Sequence, residues 1–188
     1  MWSRDRHPAL RSAIRLAIAM AIAGLTAACL QPLYGDRTTT GSPALRTALA
    51  AVDVLQIEAP NGSPEARIAV ELRNALLFEL TGGGAMTSPT HRLRIRMSLS
   101  KSAIIVDITT GRTEAEVTGI DATYTLTELA SGKVVVNSTT FARVSSDVPG
   151  QQQRFARTRA QRDAESRAAQ VVAEQIRSRL ASHFVAGT

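Results

Sequence analysis

Cysteine is almost missing from this 188-residue chain, which has one, Cys29. No intramolecular disulfide can form and no cysteine-rich metal site can be built. Aromatic residues make up only 4%, so a core must be assembled from Leu, Ile, Val and Ala. Lysine occurs twice against 20 arginines, and His three times. Long apolar runs are lacking too: the longest, Leu16–Leu25, spans ten residues, about half of the roughly 20 a membrane helix needs. These shortages exclude a disulfide scaffold and a polytopic membrane protein. What is present, 44% hydrophobic and 20% charged residues with a mean hydropathy of −0.01, is a globular composition. It argues against disorder across the whole chain and against a coiled-coil rod. The length suits one domain.

The first thirty residues read as an address. Arg4, Arg6, Arg11 and Arg15 stand against the single acid Asp5, the apolar run follows, and Thr26-Ala27-Ala28 leads to Cys29. A basic start, a short apolar stretch and a small-residue exit are the anatomy of a secretory signal peptide. Leu25-Thr26-Ala27-Ala28-Cys29 resembles the lipobox of bacterial lipoproteins, with Thr26 where Leu is more usual. The expectation is cleavage before Cys29 and acylation of that residue; the alternative is an ordinary signal peptide that leaves Cys29 a free thiol. Two or more acyl chains anchor stably where one does not. Leu30 stands where an Asp tends to retain Gram-negative lipoproteins in the inner membrane, which favours outer-membrane sorting. Removal of Met1–Ala28, with four Arg and one Asp, takes three units of the net +6 and leaves +3 on 160 residues. Half of the basic excess is therefore targeting signal, which weakens any nucleic-acid reading.

Residues 29–44, with Pro32, Gly35, Gly41 and three consecutive Thr, read as a lipidated tether, and 45–188 as a single domain. A helical turn is expected over Pro43–Ala51. A strand should follow over Val52–Glu58, with Val52, Val54 and Gln56 on one face. Ser63-Pro64 is a helix-start signature, and Ile68, Leu72, Leu76 and Leu80 recur at helical spacing as far as Gly82-Gly83-Gly84. Three strands come next. In His91–Leu99, Leu93, Ile95, Met97 and Leu99 share one face and Arg92, Arg94 and Arg96 the other. The apolar pattern continues through Ile104, Val106 and Ile108 to a turn at Thr110-Gly111. Thr118–Leu129 and Val134–Val144 form a hairpin around Ala130–Lys133. From Phe155 one long helix carries Ala160, Ala164, Ala168, Val172, Ile176, Leu180 and Phe184 at i, i+4 spacing, supplemented by Val171 and Gln175. The expected fold is α+β: a small, mostly antiparallel or mixed four-stranded sheet with two helices packed on one face.

Catalytic signatures are missing. No two histidines lie at metal-ligand spacing, and no P-loop, Gly-x-Ser-x-Gly or His-Glu-x-x-His occurs; no catalytic residue, metal or cofactor is expected. The basic features admit two readings. Arg92, Arg94 and Arg96 stand about 6.8 Å apart along one strand face, a ladder able to bind phosphates by paired hydrogen bonds or simply a solvated face that resists edge aggregation. Arg154, Arg157, Arg159, Arg162 and Arg167, with Asp163 and Glu165, mark the exposed side of the last helix. Nucleic acid fits badly, because stacking aromatics are missing.

Three stretches carry a resemblance. They are Cys29-Leu30-Gln31-Pro32-Leu33-Tyr34-Gly35, the hairpin from Tyr124-Thr125-Leu126 to Ser131-Gly132-Lys133-Val134, and the helix from Phe155-Ala156-Arg157 through Arg162–Ala168 to Ala173–Leu180. Together they resemble the LptE family of lipopolysaccharide-assembly lipoproteins in its alphaproteobacterial form. The resemblance implies a non-enzymatic protein that plugs the outer-membrane β-barrel LptD, binds lipopolysaccharide, is anchored to the membrane by its acyl chains, and faces the periplasm and barrel lumen. On charge alignment alone, Arg92, Arg94, Arg96 and Lys133 become candidates for contact with lipid A phosphates or acidic sugars. An auxiliary lipoprotein of a lipid-trafficking transporter, without a barrel partner, shares the same signal and size. A periplasmic hydrolase would need a convergent polar site that the sequence does not offer.

Overall fold

The computed structural model describes residues 45–148 and 153–186; the signal segment, Cys29 and the tether lie outside them. A short helix α1 (Leu45–Ala50) leads to β1 (Val52–Val54), and helix α2 (Pro64–Thr81) follows. Three long strands come next, β2 (His91–Val106), β3 (Thr113–Glu128) and β4 (Val134–Asp147), and helix α3 (Arg154–Ala186) closes the order. The sheet order is β1-β2-β3-β4. β1 lies parallel to β2, and the two later pairs are antiparallel. This is the expected α+β fold with a mixed four-stranded open sheet. No helix among the described residues is long and apolar enough to cross a membrane.

Local chemistry sets the ends of α2. The Ser63 hydroxyl accepts the Ala66 N–H at 3.1 Å, Pro64 occupies the first turn, and Gly82 ends the helix at φ 63° with its N–H donating to Phe78 O at 2.7 Å. A left-handed residue at this place favours glycine because it carries no Cβ. β1 is shorter than the alternation of Val52–Glu58 suggests. After the Leu55 N–H donates to Leu93 O the chain leaves the sheet, so Gln56 is exposed and Ile57 is the residue buried instead.

One face of the sheet is covered. Leu93 opposes Leu126, Ile95 opposes Tyr124, Met97 opposes Ala122 and Leu99 opposes Ile120. These pairs pack with Ile68, Leu72 and Leu76 of α2 and Val172, Ile176 and Leu180 of α3. Ala164, Ala168, Ala169 and Ala173 are wholly buried, which lets α3 approach its neighbours closely. The second apolar flank of α3 is thus Ala169, Ala173 and Ala181, while Val171 and Gln175 face outward. Ile104, Val106 and Ile108 continue the strand pattern but stand exposed, Ile108 almost completely.

Glu165 is the main departure from the sequence pattern. It sits in a charged stretch of α3, yet it is fully buried. Its carboxylate takes Lys101 Nζ of β2 at 2.7 Å, Gln161 Nε2 at 3.2 Å, and a guanidinium nitrogen of Arg67 from α2. Burial alone would raise its pKa, but the Lys101 and Gln161 hydrogen bonds, with the Lys101 charge and Arg67, outweigh it and hold the carboxyl below the usual range. One carboxylate therefore ties β2, α2 and α3 together.

Two outcomes are expected. Leu126→Ala, which empties a fully buried site between β2 and β4, should cost about 2–5 kcal/mol in urea unfolding. Lys101→Met leaves the buried carboxylate short of a cation and should cost about 3 kcal/mol, while the Lys101→Met, Glu165→Gln pair should cost less than Lys101→Met alone. As pH falls, the unfolded chain takes up the Glu165 proton before the folded one does, so this contribution is complete above the unfolded pKa and is lost as pH drops through the folded value. Thermal unfolding followed below about pH 4.5 should show a steeper loss in the parent than in Glu165→Gln.

Candidate functional site

The face of the sheet away from the helices is built in rows by the strand registers, since directly opposed residues share a face. Arg92 stands opposite Thr127, Arg94 opposite Thr125 and Asn137, and Arg96 opposite Thr123 and Thr139. The next row is Ser98, Asp121 and Phe141, and beyond it lie Ser100, Gly119 and Arg143. A groove of about 540 Å³ runs over the first three rows. Arg92, Arg94, Arg96, Thr123, Thr125 and Thr127 form its floor, and Leu55, Glu128, Leu129 and Gly132 bound it.

The three arginines differ in their surroundings. Arg92 Nε donates to Asp53 Oδ2 of β1 at 3.2 Å. Arg94 and Arg96 have no carboxylate within ion-pair distance among the described residues, and both are exposed. Glu128, the acid at the groove end, instead accepts the Ser131 hydroxyl at 2.5 Å. The groove thus carries two uncompensated guanidiniums, which only donate, over a floor of hydroxyls that can donate as well, a set that suits an anion with several oxygens. Lys133 sits exposed in the β3–β4 turn beside Gly132, outside the groove lining. The structure therefore brings Arg92, Arg94 and Arg96 together and leaves Lys133 at the rim.

The next rows hold residues the sequence reading did not single out. Arg143 Nη2 donates to both Asp121 carboxylate oxygens, at 2.8 and 2.9 Å. Its Nη1 reaches Ala142 O at 3.0 Å and Ile120 O at 3.3 Å. The guanidinium also lies 5.4 Å from the centre of the Phe141 ring, and that ring is 63% exposed. Gly119 leaves the room: a Cβ there would come within 2.5 Å of Ser100 Oγ and 2.8 Å of Arg143 Cδ. The signal available in the sequence was Arg143 itself, but only the β3–β4 register sets it against Asp121.

Histidine chemistry stays apart from this face. His91 and His183 both contact the Phe184 ring, at 5.1 and 5.6 Å between centres. Burial, opposed by Glu128 and reinforced by His183, lowers the His91 pKa below 6.5. No group of three His, Cys, Asp or Glu side chains among the described residues could hold a metal ion.

Solved structures share this architecture. A structure from Caulobacter crescentus, described as that of a lipoprotein, superposes with a TM-score of 0.57 at 20% identity, over 75% of this chain and 96% of that one. Rare lipoprotein B from Shewanella oneidensis superposes with a TM-score of 0.51 at 14% identity, over 71% and 96%. At such identities the likeness establishes the fold alone, a small α+β domain found in bacterial lipoproteins. No curated protein matches the sequence. The profile of LptE, lipopolysaccharide-assembly, matches residues 50–180, and the chain belongs to that family. It is accordingly a non-enzymatic component of lipopolysaccharide assembly, of a family of bacterial outer-membrane lipoproteins.

Gly119→Val should displace Arg143 from Asp121 and leave the Phe141 ring unsupported. Crystal structures of the parent and variant, or NMR of the Arg143 side chain, check this, and unfolding should show a loss of about 1–3 kcal/mol from the overpacked site.

Proposed function

We propose that this protein works as the lipoprotein partner of an LptD-type outer-membrane β-barrel. In this reading the domain occupies the barrel lumen, acyl chains on Cys29 hold it to the membrane, and the open sheet face meets lipopolysaccharide. Arg94 and Arg96 carry the reading: within a lipopolysaccharide-assembly family, two guanidiniums without acidic partners line a hydroxyl-floored groove. Arg92, already neutralised in part by Asp53, acts beside them, and Lys133 at the rim adds a mobile charge. The ligand's phosphates or acidic sugars supply the missing anions.

The covered and open faces suit a barrel lumen. Barrel interiors are polar and wet, and the open face presents Thr, Ser, Asn and Arg to that environment, with Phe141 as its exposed aromatic, while Leu93, Ile95, Tyr124 and Leu126 are turned to the helices. A lipid anchor raises the local concentration of the domain at the barrel, so a modest interface suffices for a lasting complex.

A C-terminally tagged protein purified from solubilised outer membranes should carry a large β-barrel protein in near-equal amount, identified by mass spectrometry. Recovery of inner-membrane transporter subunits would favour the auxiliary-lipoprotein role instead. Arg94→Ala with Arg96→Ala should weaken lipopolysaccharide binding about tenfold or more, two charge-assisted contacts being lost, with barrel capture unchanged. An affinity equal to the parent's would refute the groove. Cys29→Ser should abolish fatty-acid labelling of the protein.

A further inference from the structure

We infer that Phe141 is a stacking platform for a sugar ring, a second contact that continues the arginine groove along the sheet. The inference rests on the proposed lipopolysaccharide contact and specifies which part of a phosphorylated glycolipid lies on the open face: the saccharide, with its phosphate over Arg94 and Arg96.

The ring is exposed and yet held. It lies on the open face next to the Thr139 row, with most of its surface in solvent. Arg143 lies against it, and four acceptor oxygens, two from Asp121 and the carbonyls of Ile120 and Ala142, fix that guanidinium in turn. A guanidinium so committed has little capacity left for a ligand. What it does is position the ring, and Gly119 is the opening that lets it lie there. An aromatic face already immobilised loses little freedom when something settles on it, which is the condition for efficient binding.

The surroundings select the occupant. Thr123, Thr139, Ser98 and Arg96 lie in the same or the adjoining row. A purely apolar partner would have to strip water from these groups without replacing their hydrogen bonds, which is unfavourable. A pyranose meets both demands. Its C–H face carries slight positive charge, matching the negative face of an aromatic ring, and its rim of hydroxyls can bond the Thr and Ser side chains. Arg96 stands two strands across and one row along from Phe141, roughly 12 Å away at the backbone, within the length of a phosphorylated di- or trisaccharide.

The test uses the full-length chain in detergent with deacylated lipopolysaccharide, which keeps its sugars and phosphates but has no fatty acids. Calorimetry should show binding that Phe141→Ala weakens about two- to tenfold, that Phe141→Tyr keeps, and that Arg94→Ala with Arg96→Ala also weakens. Saturation-transfer NMR from aromatic protons should light sugar ring protons in the parent and in Phe141→Tyr, and lose that signal in Phe141→Leu. If the deacylated saccharide fails to bind, or binds Phe141→Ala and the parent alike, while intact lipopolysaccharide still responds to the arginine pair, the platform is wrong and the groove stands. If intact lipopolysaccharide ignores the arginine pair as well, both fall. Loss of barrel capture in Phe141→Ala, with saccharide binding unchanged, would overturn the platform and make the ring a protein contact.

Discussion

The alternation along β2 from Arg92 to Leu99 is the constraint on which the remainder of the molecule depends. Successive side chains of a strand point to opposite faces, so Leu93 and Ile95 can enter the core only if Arg92, Arg94 and Arg96 are turned out of it. A slip of one residue against β3 would bury three guanidiniums and expose the apolar set. The register that closes the core is therefore the same one that assembles the groove. Core and site are not separate achievements of this fold, and the threonines of β3 that floor the groove are placed by the burial of Tyr124 and Leu126 between them.

The helix layer meets that sheet through small residues and one acid. Buried alanines along α3 bring it close, and at that separation a charge on its inner side must find partners or be expelled. Glu165 finds Lys101 from the sheet and Arg67 from α2. Both cations keep part of their side chains in water, while the carboxylate keeps none. The network joins the two layers, but it adds little over what well-packed apolar groups would give, while removal of one partner would leave a buried charge uncompensated.

Much of this was readable in the chain, and the limits follow from range. The period-2 pattern of β2, the Ser63-Pro64 start and the Gly82 stop of α2, and the i, i+4 series of α3 are local, and each appears where the residues place it. The three groove arginines share this advantage, since one strand carries them all. Glu165 falls among the exposed charges in the sequence pattern because its partners Lys101 and Arg67 come from distant parts of the chain, Arg67 from 98 residues away. Phe141, Asp121 and Arg143 become a unit only through the β3–β4 register, which no turn sequence alone specifies with that accuracy. Gln56 and Ile108 illustrate the reverse error. Alternation there continues past the reach of the helices that would cover it, or past the point where the chain leaves the sheet.

The position of α3 in the chain orders the assembly of the molecule. β2, β3 and β4 form a meander of neighbouring hairpins that can pair as soon as each turn is complete, whereas α3 must fold back over strands already made. Until it docks, the apolar sheet surface of Leu93, Tyr124, Leu126 and Ile120 has α2 alone to cover it. Synthesis runs from the amino end, so the strands are complete before the helix that helps to cover them. A sheet surface left partly bare is where aggregation starts, so closure of that helix removes the largest such surface the strands present.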